Sequence, residues 1–148
     1  MKKLLTIFLF CIVSIMGFSQ IEIKPKSLTK ICSNAIGDEI YEENGIYYLS
    51  LEFWHDNGLN KKFHTSVGQE YIKIGTDPIY GLNQLIQAMD EKLEFEIYTY
   101  DNELLNCVPD WQGGLLFTFS NSHDSNYSVI YKFRIKPLIK KLNNTLDL

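Results

Sequence analysis

Three groups of residues in this chain have the types and spacing to do chemistry. The stretch Glu52 to His64, E-F-W-H-D-N-G-L-N-K-K-F-H, sets His55, His64, Glu52 and Asp56 around Trp54. An imidazole beside a carboxylate can act as an acid–base pair, and two imidazoles with a carboxylate supply most of a zinc site. Glu94 and Glu96 stand two residues apart, which on a strand places both carboxylates on one face. Paired carboxylates of this kind do the work of glycosidases. His123 and Asp124 are neighbours in N-S-H-D-S-N, and a loop can turn such neighbours toward one another.

The elements that must carry these groups argue for a plainer use of them. I-Y-Y-L-S-L-E-F-W alternates, with Leu49, Leu51 and Phe53 on one face and Tyr48, Ser50, Glu52 and Trp54 on the other. A hairpin turning near Asn57-Gly58 keeps the apolar sets together when Phe53 pairs with Phe63, Leu51 with Thr65 and Leu49 with Val67. Glu52 then faces His64 on the solvent side, while His55 projects to the opposite face. A zinc site needs three or four converging ligands, so no metal site is expected. The chain holds no G-x-S-x-G, H-E-x-x-H, Walker or calcium-loop spacing. No catalytic residue is therefore assigned. Glu94, Glu96, His123 and Asp124 are the weak candidates for a small hydrolase, and no cofactor is implied.

Aromatic residues are the unusual excess, at 14% of the chain. Tyr48, Trp54, Tyr98 and Tyr100 fall at outward strand positions, and Trp111 sits in the loop P-D-W-Q-G-G. Protein interfaces favour such residues, and sugar-binding surfaces stack on them. These five are the expected binding residues. Lys132, Arg134 and Lys136 read as a basic row on the last strand, placed to neutralise Glu94 and Glu96 if the strands are neighbours.

The first residues indicate a destination. Lys2 and Lys3 precede the uncharged run Leu4 to Met16, and Gly17 and Ser19 supply a small-x-small exit before Gln20. That pattern is a secretory signal peptide over 1–19, with a single domain over 20–148 that is periplasmic or extracellular. The apolar run falls short of the ~20 residues that a membrane-spanning helix needs, so no stable anchor is expected. Losing Lys2 and Lys3 lowers the basic count from 14 to 12 against 18 acids, a formal charge of −6. Such acidity opposes nucleic acid and anionic lipid as partners. Cys32 and Cys107 remain, and an even count in an exported chain suggests a disulfide between them.

The remaining pattern gives the architecture. Ser27 to Gly37 spaces Leu28, Ile31, Cys32 and Ala35 as a short one-faced helix. Asp77-Pro78 opens a second helix with a stripe of Ile79, Leu82, Leu85, Ile86 and Met89, and Pro137 opens a third. L-E-F-E-I-Y-T-Y, L-L-F-T-F-S and Y-S-V-I-Y-K-F-R-I-K read as strands, with Leu115, Phe117 and Phe119 facing Phe133, Tyr131 and Val129. The expected fold is α+β, a single antiparallel sheet built from hairpins with two or three helices packed on it. The expected function is a small non-catalytic binding protein, of inhibitor or immunity type, whose partner is a protein or envelope component. A carbohydrate-binding accessory module is the other binding reading.

Overall fold

A computed structural model describes residues 27–55, 65–120 and 126–146. Each strand pairs with the next along the chain except where a helix separates the fourth from the fifth. The strands are β1 (Thr29–Ser33), β2 (Glu39–Glu43), β3 (Ile46–His55), β4 (Thr65–Gly75), β5 (Phe95–Tyr98), β6 (Leu104–Pro109), β7 (Leu115–Phe119) and β8 (Asn126–Ile130). Two helices are described, α1 (Pro78–Glu91) between β4 and β5, and α2 (Lys132–Thr145) after β8. The eight strands form one antiparallel sheet in the order β1-β2-β3-β8-β7-β6-β5, with β4 paired to β3. The sheet curls until β4 meets the end of β5 through the bridge Ile72↔Thr99. The architecture is mostly sheet and broadly α+β.

One core fills the curl. Leu49, Leu51 and Phe53 of β3 meet Ile72 of β4, Leu105 of β6, Leu115 and Phe117 of β7 and Ile130 of β8. Leu82, Leu85 and Met89 of α1 and Ile135, Leu138 and Leu142 of α2 close it. The α1 stripe arises as its 3–4 spacing predicts. Asp77 caps the helix by accepting from the Tyr80 amide at 2.9 Å, and Lys92 ends it in the left-handed region. Gly81 is the helix's point of closest approach, since a Cβ there would lie 2.1 Å from the Ile74 carbonyl oxygen.

Several expectations are overturned. The segment 27–37 is β1 and a turn, and not a helix. Its pairing with β2 slips between Lys30 and Cys32, and this irregularity leaves both Ile31 and Cys32 half-buried. A bulge of that kind imitates helical spacing over so short a stretch. The β3–β4 register also differs: Leu49 pairs with Ile72, Leu51 with Glu70, Glu52 with Gln69 and Phe53 with Gly68. The described pairing ends at His55 opposite Thr65, and Phe63 and His64 fall outside the described residues. The strand assigned to residues 127–136 ends at Ile130, and Leu115 pairs with Ile130. Lys132, Arg134 and Lys136 lie on α2, which starts five residues before Pro137. Cys32 and Cys107 are both free thiols, because β1 and β6 stand far apart in the sheet order.

β3 organises the whole. One of its edges takes β4 along nearly its full length, while the other is shared end to end by β2, opposite Ile46–Ser50, and β8, opposite Trp54 and His55. Where β8 stops and β2 begins, a polar network stitches the two together. Arg134, in the first turn of α2, grips Asp38 with two nitrogens; its Nε donates to Asp38 Oδ2 at 2.8 Å. Nη1 donates to the Val129 carbonyl of β8 at 3.1 Å. Asn34 Nδ2 donates to Asp38 Oδ2 at 2.7 Å and to the Arg134 carbonyl at 2.9 Å. Asn34 Oδ1 accepts from the amides of Ile36, Gly37 and Asp38, which closes the β1–β2 turn.

Asp38 is 2% exposed and Arg134 22%, so removing one partner strands the other charge largely out of water. Asp38→Ala should lower the unfolding free energy by about 3 kcal/mol, read from urea denaturation. Asp38→Ala with Arg134→Ala should cost clearly less than the sum of the two single changes. A second expectation concerns the thiols. Burial pushes the Cys107 thiol up to about 12. In a chain starting at Gln20, Ellman's reagent at pH 8 should therefore spare Cys107 until the protein unfolds. Both cysteines should then react without prior reduction.

Candidate functional site

The turn between β6 and β7 is built to hold a side chain outward. Asp110 accepts from the Gly113 amide at 2.9 Å through its carbonyl, and from the Gln112 amide at 3.1 Å through Oδ2. The Asp110 amide donates to the Gly114 carbonyl at 2.9 Å. Gly113 takes φ +84°, a conformation that glycine adopts without steric cost. Gly114 leaves room for β8 and the Tyr131 ring, since a Cβ there would lie 2.6 Å from the Ile130 carbonyl oxygen. At the tip of this hydrogen-bonded turn Trp111 is 88% exposed.

Helix α2 brings its first residues to the same corner. Tyr131 precedes the helix and donates its hydroxyl proton toward Gln112 Oε1 at 3.0 Å and Asp110 Oδ2 at 3.2 Å. Burial, the Asp110 charge and that hydrogen bond raise the Tyr131 phenol, against a smaller opposing effect of Arg134. The Tyr131 ring stacks on Phe133, with centroids 5.8 Å apart and planes within 10°. Phe133 is 63% exposed. Together with Gln112, Gly113, Lys132 and Lys136 these rings line a recess of about 700 Å³. Lys132 is engaged by Asp90 of α1, whereas Lys136 is exposed on the rim. The corner thus offers flat apolar planes, a hydroxyl and an ammonium group on a rigid frame, the equipment of a binding surface.

The expected binding residues do not form one surface. Tyr48 is buried, and its ring meets Tyr100 edge-on at 5.3 Å. Tyr100 donates to Glu43 Oε1 at 3.1 Å. Tyr41 and Tyr71 make a second edge-on pair at 5.2 Å on the same side of β2, β3 and β4. Trp54 is half-buried between Ser66 and Tyr127 at the far end of β3. Tyr98 is exposed on β5. Only Trp111 stands fully out. Phe133 and Tyr131 escape a strand reading of the C-terminal segment. The signal that finds them is Ile135, Leu138, Ile139 and Leu142 at i, i+3, i+4 and i+7, which extends the helix back across Pro137.

Part of the candidate set for catalysis lies within the described residues. Glu94 precedes β5 and Glu96 lies within it, both exposed. His55 Nδ1 lies 2.8 Å from Asn126 Oδ1, a hydrogen bond across β3 and β8. His64, His123 and Asp124 lie outside the described residues. Among the described residues no three His, Cys, Asp or Glu side chains come together as metal ligands, and no helix is long and apolar enough to cross a membrane. Compared with known proteins, the chain matches no family, no curated protein and no solved structure.

The tyrosine face has its own titration. Tyr41 is pushed up to about 12, chiefly by its hydrogen bond to Glu39. Glu39 is lowered by its bond to Lys30 and then by Tyr41. Folding therefore favours the neutral phenol of Tyr41, a contribution complete below pH 10 and lost as pH rises toward 12. Ultraviolet titration should show one phenol with a midpoint near 12 that Tyr41→Phe removes.

Proposed function

We propose that this chain is a small exported binding protein, without catalysis of its own, that engages a protein or envelope partner at the Trp111–Tyr131–Phe133 corner. The observation that carries the reading is an indole 88% exposed on a turn made rigid by its own hydrogen bonds. Binding through a pre-ordered aromatic anchor spends little conformational entropy, and Trp and Tyr dominate the energetic centres of interfaces. The basic start and short apolar run of residues 1–19 support export. Acidity over the rest of the chain supports a partner other than nucleic acid. An inhibitor or immunity-type role, in which a compact protein caps another, fits this equipment.

The carbohydrate-binding alternative draws on the tyrosine face. There the rings meet one another edge-on, and Tyr41 and Tyr100 spend their hydroxyls on Glu39 and Glu43. The hydrolase alternative draws on Glu94 and Glu96 or on His123 and Asp124. It predicts that Gln or Ala at these positions abolishes turnover.

Trp111→Ala and Phe133→Ala should each weaken capture of the partner at least tenfold while leaving the thermal transition within about 2 °C, since neither side chain fills the core. The comparison uses immobilised chain, periplasmic extract and mass spectrometry, with Ile36→Ala as an exposed apolar control. Equal capture by all four proteins would remove the corner from the reading.

A further inference from the structure

The other unfilled surface lies across the molecule's sheet order, at β5. This strand ends the sheet: it pairs with β6 on one side and meets β4 on the other only at the bridge Ile72↔Thr99. Beyond that bridge β4 and β5 part. A cleft of about 550 Å³ opens between them under α1, with Ile74, Leu85, Ala88, Phe95 and Ile97 in its walls. Leu93 on its rim is 45% exposed. Phe95 and Ile97 occupy the core-facing positions of β5 and are nonetheless only half-buried.

The direction of the open backbone follows from the hydrogen bonds. The Thr99 amide donates to Glu103 at 2.9 Å, on the β6 side, while the Tyr100 amide donates to Tyr71 of β4 at 2.7 Å. Backbone groups alternate sides along an extended strand, so Ile97 and Phe95 point to β6, Tyr98 faces Lys73 of β4 at the bridge, and Glu96 points to the open edge. Glu94 and Glu96 are exposed beside this edge. A second copy of the chain pairing here would set carboxylates against carboxylates, which edge strands use to prevent such pairing.

We propose that the β5 edge accepts an extended peptide segment of a basic partner as an added strand, its apolar side chains entering the cleft and its alternating Lys or Arg side chains facing Glu94 and Glu96. Strand addition takes affinity from main-chain hydrogen bonds and specificity from pockets for alternate side chains. The half-covered Phe95 and Ile97 supply the pocket wall, and the two glutamates supply the charge selection. This site is separate from the Trp111 corner, so either can fail alone.

The test uses a capped, fluorescein-labelled octapeptide alternating Lys and Val, with a Glu-Val octapeptide as its counterpart, in anisotropy titrations against the chain. The Lys-Val peptide should bind saturably and the Glu-Val peptide should not. Glu96→Gln should weaken binding two- to fivefold, the size of a cross-strand charge pair. Glu96→Pro removes an amide on the open edge without touching the β6 ladder, and should weaken binding about tenfold or more. In the unmutated chain, hydrogen exchange at Glu96 should slow when the peptide is added, a readout that holds even if the proline variant fails to fold. The proposal is overturned by absence of Lys-Val binding, by equal binding of both peptides, or by unchanged exchange at the Glu96 amide. It is likewise overturned by a well-folded Glu96→Pro protein that binds undiminished, or by a dimer of the chain that occupies this edge.

Discussion

Everything at the C-terminal side of this fold hangs on the ion pair between Asp38 and Arg134. Two strands, β8 and β2, lie end to end along one edge of β3, and no ladder hydrogen bond joins one strand's end to the next strand's beginning. Arg134 spans that gap by holding Asp38 of the β1–β2 turn and the Val129 carbonyl of β8 at once. A buried pair of this sort adds modest net stability, but its geometry admits one arrangement of its elements. Asn34 completes it by donating to Asp38 Oδ2, which Arg134 Nε also holds, and by accepting from the turn amides. The side-chain polar atoms of Asp38 and Asn34 therefore all have partners within the protein.

The same pair orients the surface proposed for binding. Arg134 sits one residue beyond Phe133 and three beyond Tyr131, so fixing its guanidinium fixes the start of α2 and the stacked rings beside it. The β6–β7 turn meets them from the other side through Asp110, Gln112 and Gly114. The aromatic corner is thus assembled from segments distant in the chain, each held by bonds of its own. Order of this kind lets an exposed ring contribute to binding without first losing its freedom.

Charge is divided across the fold in a way that the net value conceals. Helix α2 carries Lys132, Arg134, Lys136, Lys140 and Lys141 and no acid, within a chain of net charge −4. The approach to β5 carries Asp90, Glu91, Glu94 and Glu96. Lys132 and Asp90 join across α2 and α1, where the basic and acidic regions meet. Opposite fields on separate surfaces favour different partners at each, which one net charge does not express.

Local periodicity was enough for the strands β3, β5 and β7 and for α1, because alternation and the Asp77-Pro78 cap are properties of neighbouring residues. It also determined that the chain is an antiparallel α+β protein with Leu49, Leu51, Phe53, Leu115 and Phe117 inside. Only the tertiary structure decided the β3–β4 register, in which Phe53 meets Gly68 beside an irregularity, since a turn of unknown length leaves several apolar alignments equally good. It also decided that residues 29–33 extend as a strand against β2, and that Arg134 turns inward to Asp38 rather than outward to Glu94. The last depends on a partner 96 residues away in the chain, and pairing over such a distance leaves no periodic trace in the residues that make it.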